Sequence, residues 1–152
     1  MLALLAVAAP ACGSAPTKPR VDDLEAQLQL ARNDSELAAA AGAALRDPGS
    51  ADLAAALEQV SKERADHARA LVEEISRATG KARADDADSP AAAPAPDAPD
   101  APTVAQVINE LRAAADSAGR LAVESTGYRA GLLASIAAAC TASYAVALVA
   151  QS

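Results

Sequence analysis

The C-terminal residues 130–152 carry no charged side chain, and this feature restricts the folds open to the chain more than any other. Nine of these residues are alanine and six are leucine, isoleucine or valine. A helix that is apolar on nearly all sides is stable only where protein or lipid covers it. The segment is therefore either the core helix of a helical bundle or a membrane span.

The composition of the chain indicates an all-α protein. Alanine, the strongest helix former, supplies 46 of the 152 residues. The aromatic residues, which favour strands, are limited to Tyr128 and Tyr144. The net charge of −7 argues against a nucleic acid as partner, because phosphate binding requires clustered lysine and arginine.

The N-terminal residues 1–20 have the pattern of an export signal. Residues 1–11 are apolar and end in small side chains, and they precede Cys12 and a polar stretch with two prolines. This pattern is typical of a bacterial lipoprotein signal peptide, in which the cysteine is acylated and becomes the mature N-terminus. The pattern is imperfect, because Ala9 stands where leucine is usual and a basic n-region is missing.

We expect acylated Cys12 to anchor the protein to the membrane surface, on the outer face of the cell, with residues 13–20 as a tether. Simple secretion and an unprocessed cytosolic N-terminus are the alternatives. An envelope protein is a further candidate partner.

Residues 21–80 predict a hairpin of two helices. The first begins with a capping box at Asp22 and Glu25 and ends at the turn formed by residues 46–49. The second begins after Ser50 and continues to Thr79. Because the link is short, the two helices are expected to be antiparallel. Apolar stripes at three- and four-residue spacing comprise Val21, Leu24, Leu28, Ala31, Ser35, Ala38, Gly42 and Leu45, and then Leu53, Leu57, Val60, Arg64, Ala68, Leu71, Ile75 and Ala78.

Residues 81–102 predict an extended, disordered linker. They contain five of the nine prolines and five aspartates, so they favour neither a helix nor a packed core. At ~3.1 Å per residue in a polyproline II conformation, this linker reaches about 65 Å. A 27-residue helix is only about 40 Å long, so the chain can cross back along a whole bundle.

Residues 103–152 predict a second hairpin. Thr103 and Gln106 form a capping box, and Ser125-Thr126-Gly127 is the one credible break before the uncharged segment. A single helix from Thr103 to Ala150 is the alternative, but its most apolar half would lack a partner. The inward side of the third helix is predicted at Val104, Val107, Ile108, Leu111, Ala114, Ala118 and Leu121. In the fourth helix, one predicted face comprises Leu132, Ile136, Ala139, Ser143 and Val146, and the next comprises Leu133, Cys140, Tyr144 and Ala147.

The segment from Ala130 to Ala150 is long enough to span a bilayer. However, Thr141, Ser143 and Tyr144 lie at its centre, and three amphipathic helices need a fourth element to cover their stripes. We therefore predict an antiparallel four-helix bundle in which both hairpins form one domain. This arrangement is compatible with a ferritin-like topology. A membrane-integral subunit held by this segment is the alternative.

Glu63, His67 and Glu74 are the weak candidates for a metal site. Di-iron bundles carry Glu-x-x-His motifs on two helices, whereas this chain has Glu-x-x-x-His once and a single histidine. We expect an i,i+4 Glu63–His67 pair at the rim of the stripe, and no cofactor. Arg64, on the stripe, is expected to pair with a carboxylate or to extend toward solvent.

The sequence contains no recognisable catalytic residues. It has no glycine-rich phosphate loop, no paired-cysteine zinc motif and no serine nucleophile elbow. Cys140 is expected to serve only in packing. A disulfide with Cys12 is the alternative in an oxidising compartment, and acylation of Cys12 would exclude it. We therefore expect a non-catalytic structural or interaction role.

The order Cys12-Gly13-Ser14, two alanine-rich helices, a Pro/Ala/Asp linker and the segment 117–148 resembles alanine-rich envelope lipoproteins of high-GC actinobacteria. Relatives of that family are described as ferritin-like bundles. The resemblance implies a four-helix fold, export and a lipid anchor at Cys12. It implies no functional residues beyond that cysteine.

Overall fold

The computed structural model describes residues 21–81 and 101–149, and all regular structure within these ranges is helical. The all-α prediction is confirmed, and four helices pack against one another. The predicted lipidation site Cys12 lies outside the described residues, as do residues 82–100 of the predicted linker and residues 150–152. The elements are α1 (Val21–Ala44), a 3-10 turn (Pro48–Ser50), α2 (Ala51–Thr79), α3 (Val104–Glu124), α4 (Gly127–Ala142) and a π-helical turn (Ser143–Ala147).

Helices α1 and α2 lie within the ranges predicted for the first two helices, but Val21 is already helical, so Asp22 lies inside α1 rather than at its N-cap. After α1 ends, the Asp47 side chain accepts a hydrogen bond of 3.1 Å from the Gly49 amide and fixes the turn. Ser50 precedes α2, and Gly80 follows it with a φ of 66°. This left-handed conformation at a helix C-terminus is favourable for glycine, which has no Cβ to clash with its own backbone.

The second pair of helices begins and divides where the sequence indicates. The Thr103 hydroxyl accepts from the Gln106 amide at 3.2 Å, and the Gln106 side chain accepts from the Thr103 amide at 2.7 Å. This reciprocal capping box starts α3. Ser125 and Thr126 separate α3 from α4, so the prediction of two helices is confirmed.

Replacement of two glycines of α4 by alanine is expected to change the free energy of unfolding in opposite directions. Gly127 has a φ of 59°, so Gly127→Ala is expected to lower the free energy of unfolding by about 1 kcal/mol. Gly131 has ordinary helical geometry, and a Cβ there would meet no atom within 4 Å, so Gly131→Ala is expected to raise it by about 0.5–1 kcal/mol. Urea denaturation of both variants checks the signs. A stabilising Gly127→Ala would contradict the positive φ.

The core lies where the stripes of the helices meet. Helix α1 packs against α2 and α3, while α4 packs mainly on α3 and over a smaller area on α2. The largest fully buried apolar side chains are Leu24, Leu28, Leu57, Leu71, Val107, Leu111, Leu133, Ile136 and Leu148.

The prediction that the other three helices bury the C-terminal segment is correct for one face only. Leu133, Ile136 and Cys140 of α4 are buried, but Val146 is 64% exposed. Within the most apolar 18-residue window of Gly127–Ala147, only 22% of the residues are buried. The physical reason is that α4 has one extensive neighbour, α3, and therefore covers one side.

The π-helical turn corrects the predicted faces of α4. The Leu148 amide donates to the Ser143 carbonyl at 3.0 Å, an i→i−5 hydrogen bond. A π-turn rotates the following side chains away from α-helical periodicity. Val146 and Ala147, assigned by periodicity to the same faces as Ile136 and Cys140, are exposed although those two residues are buried, and Leu148 enters the core.

Candidate functional site

The most unusual feature of the interior is a buried ion pair between α1 and α2. Arg64 Nε donates to Asp34 Oδ2 at 3.0 Å, and Arg64 Nη2 lies 2.8 Å from the same oxygen. The two side chains are only 2% and 3% exposed. Removing charge from water is costly unless the charges are paired, so each residue depends on the other. The prediction that Arg64 pairs with a carboxylate is confirmed.

His67 is joined to this ion pair through Arg64. Arg64 Nη1 lies 3.3 Å from His67 Nδ1, and because arginine has only donors, the imidazole nitrogen must accept. Burial, and then the Arg64 charge, lower the pKa of His67 from its ordinary value of 6.5 to about 4, while Glu63 opposes the shift. His67 is therefore a neutral acceptor at physiological pH.

Burial also sets the chemistry of the two other groups near Arg64. It raises the pKa of the Asp34 carboxyl, and the Arg64 charge opposes that rise. It raises the pKa of the Cys140 thiol as well. Cys140 is 1% exposed and forms no disulfide within the described ranges, and its alternative partner Cys12 lies outside them. Reactive cysteines are accessible and have a lowered thiol pKa, so Cys140 fits its predicted packing role.

The neutral state of His67 predicts a pH dependence of stability. Because the folded-state pKa of about 4 lies below 6.5, the unfolded chain takes up the proton first as the pH falls. Protonation of His67 is therefore expected to lower the free energy of unfolding by about 2–3 kcal/mol between pH 6.5 and 4. Below pH 4 the contribution of His67 no longer changes. Urea titrations of the natural protein and of His67→Gln check this. Identical pH slopes in the two proteins would contradict it.

The structure does not bring the three candidate metal-site residues together. The Glu63 carboxylate accepts from the Gln59 side chain at 2.9 Å, rather than pairing with His67 as expected. Glu74 accepts from Arg77 and, at 2.9 Å, from Arg129. Eleven residues separate Glu63 from Glu74 along α2, which is about 16 Å. Among residues 21–81 and 101–149, no three His, Cys, Asp or Glu side chains are placed to hold a metal ion.

Glu74 has a structural role that the sequence did not indicate. It is 6% exposed, and its ion pair with Arg129 joins the C-terminal end of α2 to the first turn of α4. The Arg77 guanidinium, which also binds Glu74, lies 4.7 Å from the centre of the Tyr128 ring. This cation–π contact adds to the connection between the two helices.

The described surface includes two shallow clefts of different size and lining. One, of about 310 Å³, lies between α2 and the π-turn and is lined by alanine and valine, with Gln59, Glu63 and Ser143 as its polar residues. The other, of about 630 Å³, lies between α1 and α2 and is lined mainly by alanine, with Glu58, Ser61 and Lys62. In the first cleft the Ser143 hydroxyl donates to the Ala139 carbonyl at 2.9 Å. In the second, the Ser61 hydroxyl lies 3.2 Å from that of Ser35, and Lys62 pairs with Glu58.

One helical stretch in the described ranges, Gly127–Ala147, is long and apolar enough to cross a membrane, with a mean hydropathy of 1.6. No protein family, curated protein or solved structure matches the chain.

Proposed function

We propose that the chain is an exported, lipid-anchored helical-bundle protein of the cell envelope with a non-catalytic, structural or interaction role. The apolar residues 1–11 followed by Cys12 support the anchor. The observation that carries the non-catalytic role is the network Asp34–Arg64–His67, in which the buried charged and titratable groups bind one another.

This network argues against acid–base or nucleophilic chemistry at the centre of the protein. A catalytic base must reach a substrate proton, but the Nδ1 atom of His67 already accepts from Arg64. A nucleophilic thiol must be accessible, but Cys140 is buried. Cys140 therefore contributes to the packing of α4, and His67 binds the Arg64 side chain that pairs α2 with α1.

We further infer an antiparallel four-helix bundle with ferritin-like topology. For α1 and α2, Asp34 contacts Arg64. Further along α1, Gly42 lies against Leu57. Residue numbers rise along α1 as they fall along α2, which supports the first antiparallel hairpin.

Helix α3 runs in the same direction as α2. The Gln27 side chain of α1 donates to Ser117 of α3 at 2.7 Å. Asp34, further along α1, experiences the charge of Glu110 of α3. Helix α3 is therefore antiparallel to α1, as α2 is.

Helix α4 runs opposite to α2. Glu74 near the end of α2 binds Arg129 at the start of α4. Val60, earlier in α2, lies across the cleft from Val146. With α2 and α3 parallel, the end of α2 and the start of α3 lie at opposite ends of the bundle, separated by roughly the ~44 Å length of α2. The reach of about 65 Å expected from the composition of residues 81–102 is sufficient for that distance.

A ferritin-like metal-binding protein that uses Glu63 and His67 is the less favoured candidate. In ferritin-like carboxylate proteins the metal ligands project inward from all four helices. Here Arg64, a cation, projects inward at the level of Glu63 and His67. Substoichiometric iron, zinc and manganese in the purified protein would dismiss the metal hypothesis. A full equivalent of metal that His67→Ala removes would revive it.

The lipid anchor is tested by mass spectrometry of the mature N-terminus after production in an actinobacterial host. We expect a chain that begins at Cys12 and carries the added mass of acyl groups. The Cys12→Ala variant serves as the control and should lack that mass. A mature chain with unmodified Cys12, or one that begins elsewhere, would refute the anchor.

A membrane-integral subunit is the second candidate, and the exposed side of α4 is the observation in its favour. Extraction of the Cys12→Ala variant separates the two. Under our proposal the variant without acyl chains is recovered in the soluble fraction. Retention in membranes after alkaline washing would support a span from Ala130 to Ala150.

A further inference from the structure

The side of α4 that faces away from α3 is an uncharged surface on an acidic protein. We define the outer face of α4 by the exposed residues Tyr128, Ala134, Ala138, Ala142 and Val146. The chain has no charged side chain after Arg129, although its net charge is −7. The other three helices expose carboxylates, among them Glu36, Glu58 and Glu110.

Large apolar side chains are exposed preferentially on this same helix and its extension. In the described ranges, the exposed large hydrophobic residues are Val123 (84%), Tyr128 (59%), Val146 (64%) and Val149 (53%). Three of these four belong to the α4 segment. Exposed apolar surface that is concentrated on one side of a protein indicates an interaction surface.

Val21, the first residue that the structure describes, lies at the end of the bundle where α4 begins. The contact between Gln27 and Ser117 places the first turns of α1 beside the last turns of α3, and two residues then lead into α4. Cys12 precedes Val21 by nine residues, which span at most about 32 Å when fully extended. A bilayer that holds an acylated Cys12 is therefore within reach of the outer face of α4.

We propose that the outer face of α4 docks on the surface of the lipid bilayer and lies in its interface without crossing it. This inference rests on the lipid anchor of the proposed function. The outer face itself contains no carboxylate, and Glu63 of α2 lies beside it, in the cleft that Ala142 and Val146 line. The outer faces of α1, α2 and α3 would instead have to bury the carboxylates that they expose. Tyrosine is favourable at a membrane interface, because its ring is apolar and its hydroxyl is polar.

The inner face of α4 argues for docking over spanning. Leu133, Ile136 and Cys140 are buried in the protein, and a membrane span would have to leave these contacts. Arg129 would also leave Glu74, a buried carboxylate that pairs with it. Docking of the outer face retains all of these interactions.

A single tryptophan reports the orientation, because the natural chain contains none. The test pair is Val146→Trp on the outer face and Ala40→Trp on the exposed side of α1. Gly42 lies against Leu57, and Val60 lies across the cleft from Val146, so the two positions are at similar heights along the bundle. If the bundle axis were perpendicular to the bilayer, the two tryptophans would therefore lie at a similar distance from it.

The full chain is coupled through Cys12 to a maleimide phospholipid in phosphatidylcholine vesicles that contain nitroxide-labelled lipid. Cys140 is 1% exposed and should remain unmodified. We expect headgroup-level nitroxide to quench the emission of Val146→Trp severalfold more than that of Ala40→Trp. Because the lipid is attached chemically, the result does not depend on acylation in cells. The mass of the mature N-terminus therefore tests the lipid anchor, and the quenching of tryptophan emission tests the docking surface separately.

Other outcomes overturn the inference. Equal quenching of the two variants would mean that α4 does not face lipid. Stronger quenching of Val146→Trp by a nitroxide at the end of the acyl chain than by one at the headgroup would mean that α4 spans the bilayer. If the tryptophan of Val146→Trp is shielded from solvent with and without vesicles, and the protein has the mass of a dimer in solution, the outer face would be assigned to a second copy of the chain.

Discussion

We expect Arg64→Met to lower the free energy of unfolding by about 3–5 kcal/mol, the largest loss among the substitutions considered. The substitution removes the cation that lies 2.8 Å from the Asp34 carboxylate and leaves that carboxylate 3% exposed without its partner. It also removes the donor to His67. Urea denaturation followed by circular dichroism measures the change.

The matched control removes both charges. The Asp34→Leu/Arg64→Met double variant replaces the pair with apolar side chains of similar length, so most of the lost stability is expected to return. A double variant as unstable as Arg64→Met alone would show that the loss comes from disturbed packing. The ion pair would then not be what holds α1 and α2 in register.

Leu133→Ala is expected to lower the free energy of unfolding by about 2–5 kcal/mol, because Leu133 is fully buried and its truncation leaves a cavity. Leu132→Ala, on the same helix, is the matched control, since Leu132 is only partly buried. A smaller loss is therefore expected there. Equal and small losses at both positions would mean that α4 does not contribute to the core.

The local signals in the sequence were sufficient to place the helices. The turn at Asp47, the glycine after α2 and the capping box at Thr103 act within a few residues of each other, so no knowledge of the fold is needed to interpret them. The break before Gly127 could be predicted for the same reason.

The buried polar residues of α1 could not be predicted in this way. Periodicity assigned Ser35 to the stripe, whereas its neighbour Asp34 is buried. Its burial depends on Arg64, thirty residues away, and a pair interaction of that range leaves no trace in local periodicity. The one available signal was Arg64 itself, a charge on an apolar stripe that requires a carboxylate on a facing helix.

The outcome at the candidate metal site could not be predicted for the same reason, because it depends on residues that are brought close only by the fold. The three candidate metal ligands, Glu63, His67 and Glu74, share one helix. The sequence could not show that each would instead be hydrogen-bonded by another side chain, namely Gln59, Arg64 and Arg129 respectively. The exposed side of α4 was missed for a different reason. The π-turn at residues 143–147 changes which side chains face inward, and the apolar residues around it have no α-helical break signal.

The central claim is that the inner face of α4 is held by the protein's own helices, and Cys140 tests it most directly. The measurement is the rate at which a water-soluble thiol reagent modifies Cys140 in the Cys12→Ala protein, without detergent, at increasing urea concentration. We predict protection in the absence of urea, because this thiol is 1% exposed, and modification only as the protein unfolds. Modification in native buffer at the rate of a free thiol would contradict the account.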